Sequence, residues 1–369
     1  VLRIGITGAN GFLGWHLRAH LHSRQDIQVT TADRATFADP KKLSTFVSGV
    51  DAIAHIAGVN RASEAELQVG NLQPAEQLSA ACDSAGVRPH ILYTNSTQHK
   101  GATPYALAKR AAGEHLGDWA GKRGARFTNL VLPHLFGECA KPFYNSAVAT
   151  FCHQAAHAEA SKIIVDSELE LVHAQRVAAH ILAAFETPPP NGNGELRIEG
   201  HRIMVSAVLA QIEQIARQYA DFVIPPLASA FDLDLFNAYR SYLYPKHYPV
   251  KLALRADNRG ELFEAVKSLH GGQCFLSTTR PDITRGNHYH HHKLERFLVV
   301  GGEATIRVRK LLTGETTEFH VSGREPAYVD MPALHTHNIT NTGSGDLLTL
   351  FWSHEIFDPA APDTFPEVV

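Results

Sequence analysis

Cysteine is scarce in this chain. Four residues, Cys82, Cys139, Cys152 and Cys274, stand far apart among 369, with no CxxC spacing. That excludes a disulfide-built scaffold and a thiolate zinc ribbon, and fits thiols kept reduced in a cytoplasm. Long apolar runs are missing too: none reaches the roughly 18 residues a membrane-spanning helix needs, so no membrane partner is expected. Neither sign of charge dominates, with 34 Lys and Arg against 37 Asp and Glu. So balanced a chain carries no basic field for nucleic acid. No signal-peptide pattern precedes the first apolar segment, Val1–Ile6, and a cytoplasmic location is expected. Repeats and low-complexity tracts are also lacking, apart from Pro188–Gly194, which reads as a loop.

What is present is an ordinary globular composition, 44% apolar, in a chain long enough for two domains. In the first part, strands predicted at Arg3–Thr7, Ile27–Thr31, Asp51–Ile56 and Ile91–Thr94 alternate with amphipathic segments such as Gly11–Ser23. That rhythm means βαβ units and a doubly wound parallel sheet. Tyr239–Pro249, rich in tyrosine and proline, reads as a linker. Beyond it come short β segments: Gln273–Thr279, Arg296–Val300, Ala304–Leu311, Thr316–Val321, Ala327–Asp330 and Asp346–Trp352. They leave little room for helices and predict an antiparallel barrel or jelly roll. The expected domains are residues 1–245 and 246–369.

Gly8-Ala-Asn10-Gly11-Phe12-Leu13-Gly14 follows the first strand and opens a helix. Small residues there let the backbone approach a pyrophosphate, which the helix N-terminus can bind. This spacing resembles the short-chain dehydrogenase/reductase superfamily. At the end of the second strand, Asp33 favours the ribose hydroxyls of NADH, whereas Arg34 favours the 2′-phosphate of NADPH; the balance is read towards NADPH. Tyr105 and Lys109 stand four apart, on one face of a helix. The lysine would bring the phenol, ordinarily near 10, closer to working pH. Ser96, with Thr97 as the substitute, would hold a substrate carbonyl. His55, Ala57 and Gly58 match the superfamily's pattern after a later strand, and Asn71 stands where a helix asparagine is usual. The pairs His16/His20 and His153/His157 read as core or surface histidines, since no glutamate accompanies them as in a metalloprotease.

In the second part, His288 and His290 are two apart, Glu295 follows, and His337 comes after a gap. On a strand, positions 288 and 290 share a face. Three imidazoles and a carboxylate suit a borderline divalent ion and leave zinc, manganese, iron and nickel open. With Gly302, Pro332 and Asn341, the pattern resembles the two motifs of the cupin superfamily, except that Leu334 stands at the second motif's glycine. The turn before His337 is therefore expected to differ. Arg285-Gly-Asn-His288 also resembles a segment of metal-free deoxysugar 3,5-epimerases, in which that histidine is a base.

Taken whole, the chain resembles the CapF-type bifunctional capsular-polysaccharide enzymes. The residues carrying the likeness include Ala57–Arg61, Phe136-Gly137, Lys141-Pro142, Tyr144–Ser146, Ala149–Cys152, Asp257–Gly260, Ile283–His288, Phe297–Val300, Thr336–Ile339 and Phe357–Pro359. The resemblance implies a UDP-2-acetamido-2,6-dideoxy-hexos-4-ulose substrate, inverted at C3 by the cupin half and reduced at C4 by the reductase half with NADPH. The product would be a UDP-2-acetamido-2,6-dideoxy-L-talose, on a route to UDP-N-acetyl-L-fucosamine. It also favours zinc. Asn60, Arg61, Lys141 and Asn145 are candidates for the nucleotide-sugar side, and Lys293 and His335 for proton carriers. Val131 and Val172–Arg176 depart from the family pattern. Rival readings are a reductase with a structural, dimerising cupin, a degenerate cofactor-sensing regulator, and an NAD-recycling nucleotide-sugar 4-epimerase. A homodimer is the default assembly.

Overall fold

The computed structural model describes residues 1–188, 193–253, 255–257, 260–262, 265–268, 271–355 and 357–369. Residues 189–192 of the expected loop and 258–259 of the segment Asp257–Gly260 lie outside them. Asn193 and Gly194, expected in that loop, begin a strand.

By packing, Val1–Leu135 with Glu168–Ile203 forms one compact unit, and Phe136–Ser167 with Met204–Val369 the other. The first unit is built on a six-stranded parallel sheet. Its strands are β1 (Leu2–Thr7), β2 (Ile27–Ala32), β3 (Ala52–His55), β4 (His90–Ser96), β5 (Phe127–Leu132) and β6 (Asn193–Arg197). Their order is β2-β1-β3-β4-β5-β6, all parallel. Ile4, Ile6, Leu92 and Leu130 pack on one face, Ile53, Ile91 and Tyr93 on the other, so the inner strands read as continuous apolar runs. The chain reverses direction across the sheet between β1 and β3, which opens a crevice beyond their carboxyl ends, where such folds bind ligands.

The second unit carries a cupin-like fold of two five-stranded sheets, with the helices Ala147–Ala156, Val205–Ala220 and Ala230–Arg240 in the same unit. Its strands are β7 (Val250–Lys251), β8 (Gln273–Thr279), β9 (Thr284–Tyr289), β10 (Glu295–Gly301), β11 (Glu303–Lys310), β12 (Thr316–Ser322), β13 (Ala327–Met331), β14 (His335–Asn341), β15 (Leu347–Ser353) and β16 (Phe365–Pro366). One sheet runs β7-β13-β10-β15-β8 and the other β12-β11-β14-β9-β16. Phe297, Val299, Ile306, Val308, Phe319 and Ile339 fill the space between them.

By packing, Phe136–Ser167 falls with the residues after 203, so the compact units interleave. One organisational expectation changes: Tyr239–Pro249 is not a linker. Tyr239 belongs to a helix, Ala230–Arg240, and is buried. Tyr248 joins the barrel core, the Tyr244 hydroxyl donates to the Val308 carbonyl at 3.2 Å, and Arg240 Nη2 donates to the Met331 carbonyl at 2.5 Å. Tyr244 and Tyr248 pack against the barrel. No helix among the described residues is long and apolar enough to cross a membrane.

Candidate active sites

The crevice of the first unit is shaped by glycine. Gly8 has φ +69°, and a Cβ there would meet the Ala57 nitrogen at 2.8 Å. At Gly14 a Cβ would lie 2.2 Å from the Gly8 carbonyl oxygen, so only glycine lets helix α1 (Phe12–His22) sit this close to the turn. Gly11 caps α1 without a side-chain hydrogen bond, leaving its first N–H groups for a ligand. Leu13 is buried and Phe12 partly so, both packing into the core around β1. Asn10 is exposed, its Oδ1 accepting from Arg18 at 3.3 Å.

Asp33 and Arg34 are both exposed. Asp33 caps the short helix that follows, its Oδ1 accepting from the Thr36 nitrogen at 2.8 Å and hydroxyl at 2.9 Å. These bonds hold its carboxyl below the usual range.

His55 is fully buried at the end of β3. Its Nδ1 meets the Thr7 hydroxyl at 2.8 Å, and that hydroxyl also accepts from the Ala57 nitrogen at 3.1 Å. Burial, then the nearby Lys109, pushes the imidazole down to about 3, so it stays neutral. Thr7 was missed by sequence reading; its only signal was its place as the last strand residue before Gly8. Gly58 lies close to Asn71 and Lys109, since a Cβ there would be 2.6 Å from Asn71 Oδ1 and 3.9 Å from Lys109 Nζ. Asn71 sits in α2 (Glu64–Ala85), buried, its amide donating to the Val59 and Leu67 carbonyls at 2.8 and 2.7 Å. Asn60 and Arg61 are exposed between β3 and α2.

Tyr105 and Lys109 lie in the first turns of α3 (Pro104–Arg123), which Thr103 caps and Pro104 opens. Tyr105 lies near Ser96, at the end of β4, closely enough for the serine to act on its phenol. Thr97 begins the short 3-10 turn that Ser96 caps. Lys109 is buried, its ammonium donating to the Thr94 carbonyl at 2.6 Å and lying 4.3 Å from the Tyr93 ring centre. Burial raises the phenol, an effect the neighbouring Ser96 partly offsets, and lowers the ammonium to about 7. Sequence reading expected Lys109 to lower the phenol; here burial raises it instead, and the lysine is itself buried.

In the second unit, His288, His290, Glu295 and His337 converge, their ligand atoms all within 4.8 Å of one another. The Nε2 atoms of His290, His337 and His288 lie 3.0, 3.5 and 3.7 Å from Glu295 Oε2. His288 faces His337 across the β9–β14 pair. His290, however, lies just past the end of β9, so its approach comes from the bend after the strand rather than from a shared face. A bulge between Gly286 and His288 re-aims the strand. His290 Nδ1 is bonded to the Asp363 carbonyl at 2.6 Å and His337 Nδ1 to the His335 carbonyl at 3.1 Å. Both Nε2 atoms are buried without a hydrogen-bond partner. Two buried lone pairs beside a carboxylate fit a bound cation. Burial pushes the Glu295 carboxyl up, but the three surrounding imidazoles bring it well below its ordinary value.

Leu334 keeps the backbone that a glycine would adopt there: φ is +60°, in the left-handed region, with its N–H donating to the His290 carbonyl at 2.8 Å. The expected change of turn is thus a strained leucine rather than a new path. Lys293 is buried, its ammonium donating to the Pro362 carbonyl at 2.5 Å. His335 is buried against Tyr244, ring centres 4.8 Å apart. Lys141 and Asn145 are exposed in the second unit, Lys141 Nζ 5.4 Å from the Tyr144 ring. His16 and His20 bond Gln175, as structural histidines do.

Comparison with known proteins accords with this geometry. Residues 4–197 match the NAD dependent epimerase/dehydratase family, and 255–365 the polysaccharide biosynthesis C-terminal domain. A UDP-2-acetamido-2,6-beta-L-arabino-hexul-4-ose reductase of Pseudomonas aeruginosa is 34% identical, over 99% of this chain and 98% of its own. The crystal structure of the capsular polysaccharide assembling protein CapF from Staphylococcus aureus is 33% identical over 100% of both chains, with a TM-score of 0.65. The chain belongs to the NAD dependent epimerase/dehydratase family, in its CapF-type branch. A UDP-N-acetylglucosamine 4-epimerase from Bacillus cereus shares the fold, at 18% identity over 67% of this chain and 97% of its own, with a TM-score of 0.54.

Proposed function

We propose that this chain is a bifunctional enzyme acting on a UDP-2-acetamido-2,6-dideoxy-hexos-4-ulose, which it epimerises at C3 and then reduces at C4. The observation carrying this reading is that one chain holds a Ser96–Tyr105–Lys109 group in a dinucleotide crevice and a three-imidazole, one-carboxylate cluster. The name of the Pseudomonas aeruginosa relative, a 4-ulose reductase of similar length, supports the substrate class.

When bound, NADPH supplies the hydride for C4. Tyr105 donates the proton that the forming alkoxide needs, Ser96 holds that oxygen, with Thr97 as the substitute, and the Lys109 ammonium stabilises the tyrosinate left behind. The main chain at Gly8, Gly11 and Gly14 takes the pyrophosphate, and the exposed Arg34 the 2′-phosphate. His288, His290, Glu295 and His337 would hold a divalent ion, zinc on this donor set, which when bound supplies a Lewis acid for the ketone. Chemistry sets the order, because the C3 proton is acidic only while the C4 carbonyl persists. The product is the UDP-2-acetamido-2,6-dideoxy-L-talose that leads to UDP-N-acetyl-L-fucosamine. The working enzyme is a cytoplasmic homodimer.

A second reading rests on the ligand count. Four protein ligands form a closed, structural set, which would leave the barrel without chemistry and the chain a reductase alone. Incubation with a UDP-4-keto-6-deoxy amino sugar in D2O separates the two. The bifunctional reading requires deuterium at C3 without NADPH and reduction at C4 only with it. Reduction with no C3 exchange refutes it.

A further inference from the structure

The end of the chain returns to the metal cluster, and one residue there touches its surroundings from two directions. Strand β16 pairs with β9, placing Pro366 opposite His288 and Phe365 opposite Tyr289. Two residues before β16 is Asp363, with φ +39°. Its carbonyl accepts from His290 Nδ1 at 2.6 Å, across 73 residues of sequence. Its carboxylate accepts three successive backbone N–H groups: His291 onto Oδ1 at 3.0 Å, then His292 and Lys293 onto Oδ2 at 2.8 and 2.7 Å. Those residues are the link between two candidate ligands, His290 and Glu295. The other buried imidazole, His337, takes its orienting carbonyl from His335 on its own strand. His290 cannot, because β9 ends at Tyr289.

We propose that Asp363 is a positioning residue for the metal cluster. Its carbonyl fixes His290 with the proton on Nδ1 and the lone pair on Nε2, and its carboxylate holds His291–Lys293 so that His290 and Glu295 keep their spacing. The inference rests on reading the cluster as a metal site. Groups that orient a ligating histidine commonly contribute about 10–100-fold to metal affinity.

The test uses the full chain as wild type, Asp363→Asn and Thr364→Val, each stripped with a chelator and titrated with zinc against a competing dye. Asparagine tolerates a left-handed backbone and keeps one acceptor oxygen, so the path of the chain survives while an NH2 meets the two N–H groups that Oδ2 received. Thr364 is in the same segment, its hydroxyl donating to the Pro362 carbonyl at 2.9 Å. The expected result is zinc affinity lower by about 10–100-fold for Asp363→Asn and unchanged for Thr364→Val. Unchanged affinity in Asp363→Asn, even with a lower melting temperature of the stripped protein, overturns the proposal, as does an equal loss in both variants. A wild-type chain that takes up no zinc sinks the metal reading itself, a failure visible before any variant is compared.

Discussion

Replacing Lys109 by Met is expected to stabilise the first unit while disabling its chemistry. The ammonium is buried, and burial moves it from an ordinary 10.5 to about 7. At pH 7 the unfolded chain holds that proton fully and the folded chain only about half the time, which lowers stability by about 4 kcal/mol. Loss of the hydrogen bond to the Thr94 carbonyl and the contact with the Tyr93 ring offsets about 2 kcal/mol of the gain. The net is about 2 kcal/mol, or about 4–8 °C in melting temperature for a unit of this size. Between pH 7 and 10.5 the unfolded chain binds more protons, so wild-type stability rises with pH there. The advantage of the variant therefore shrinks by about 1.4 kcal/mol per pH unit and reverses above about pH 8.5. The assay is thermal unfolding of cofactor-free protein at several pH values, following the transition that added NADPH shifts upward. A variant that melts lower than wild type at pH 7, or a difference that does not change with pH, refutes the reasoning. In the same variant kcat/KM for C4 reduction should fall by about 10²–10⁴-fold, since the tyrosinate loses its counter-charge.

Tyr105→Phe should lower C4 reduction by about 10²–10⁴-fold and leave NADPH-independent deuterium exchange at C3 intact, read by mass spectrometry of the recovered sugar nucleotide. Gly14→Ala places a methyl 2.2 Å from the Gly8 oxygen; NADPH fluorescence titration should show binding weakened by at least about tenfold, because α1 must retreat from the turn. Asp330→Leu strands the buried Arg296 guanidinium, bonded to Asp330 at 2.7 and 3.0 Å, and should destabilise the barrel by about 3–5 kcal/mol in urea unfolding. His337→Ala should abolish stoichiometric zinc uptake, measured after dialysis, without changing NADPH affinity.

The parts legible in the sequence are those whose physics is local. Gly8, Gly11 and Gly14 are readable because a tight turn, a helix start and a close approach each exclude a side chain. Tyr105 and Lys109 are readable because helical spacing places them together, and the strands at 273–279 and 316–321 because turn residues bracket β-prone runs. What was missed depends on distant contacts. Nothing near Tyr239–Pro249 says that Arg240 and Tyr244 meet the Met331 and Val308 carbonyls in the barrel rather than solvent. Nothing near His290 says that its orienting carbonyl is Asp363. The buried state of Lys109 was equally hidden, because it comes from Tyr93 and Thr94 on a strand whose own pattern only announces a core.

On the function proposed above, the two sites answer opposite electrostatic demands on one carbonyl group. Exchange at C3 needs the C4 oxygen to accept negative charge while the ketone survives, which a cation held by three imidazoles and Glu295 can balance without giving up a proton. Reduction needs that oxygen to be protonated irreversibly, which requires an acid, and Tyr105 beside Lys109 is one whose conjugate base is balanced by a buried charge. Once C4 is reduced the C3 proton is no longer acidic, so exchange must come first. Separate folding units, each with its own core, allow one to be tuned as an electrophile and the other as a proton donor. On that reading the fusion keeps both steps on one chain, so the epimerised ketone would be made where a reductase is present.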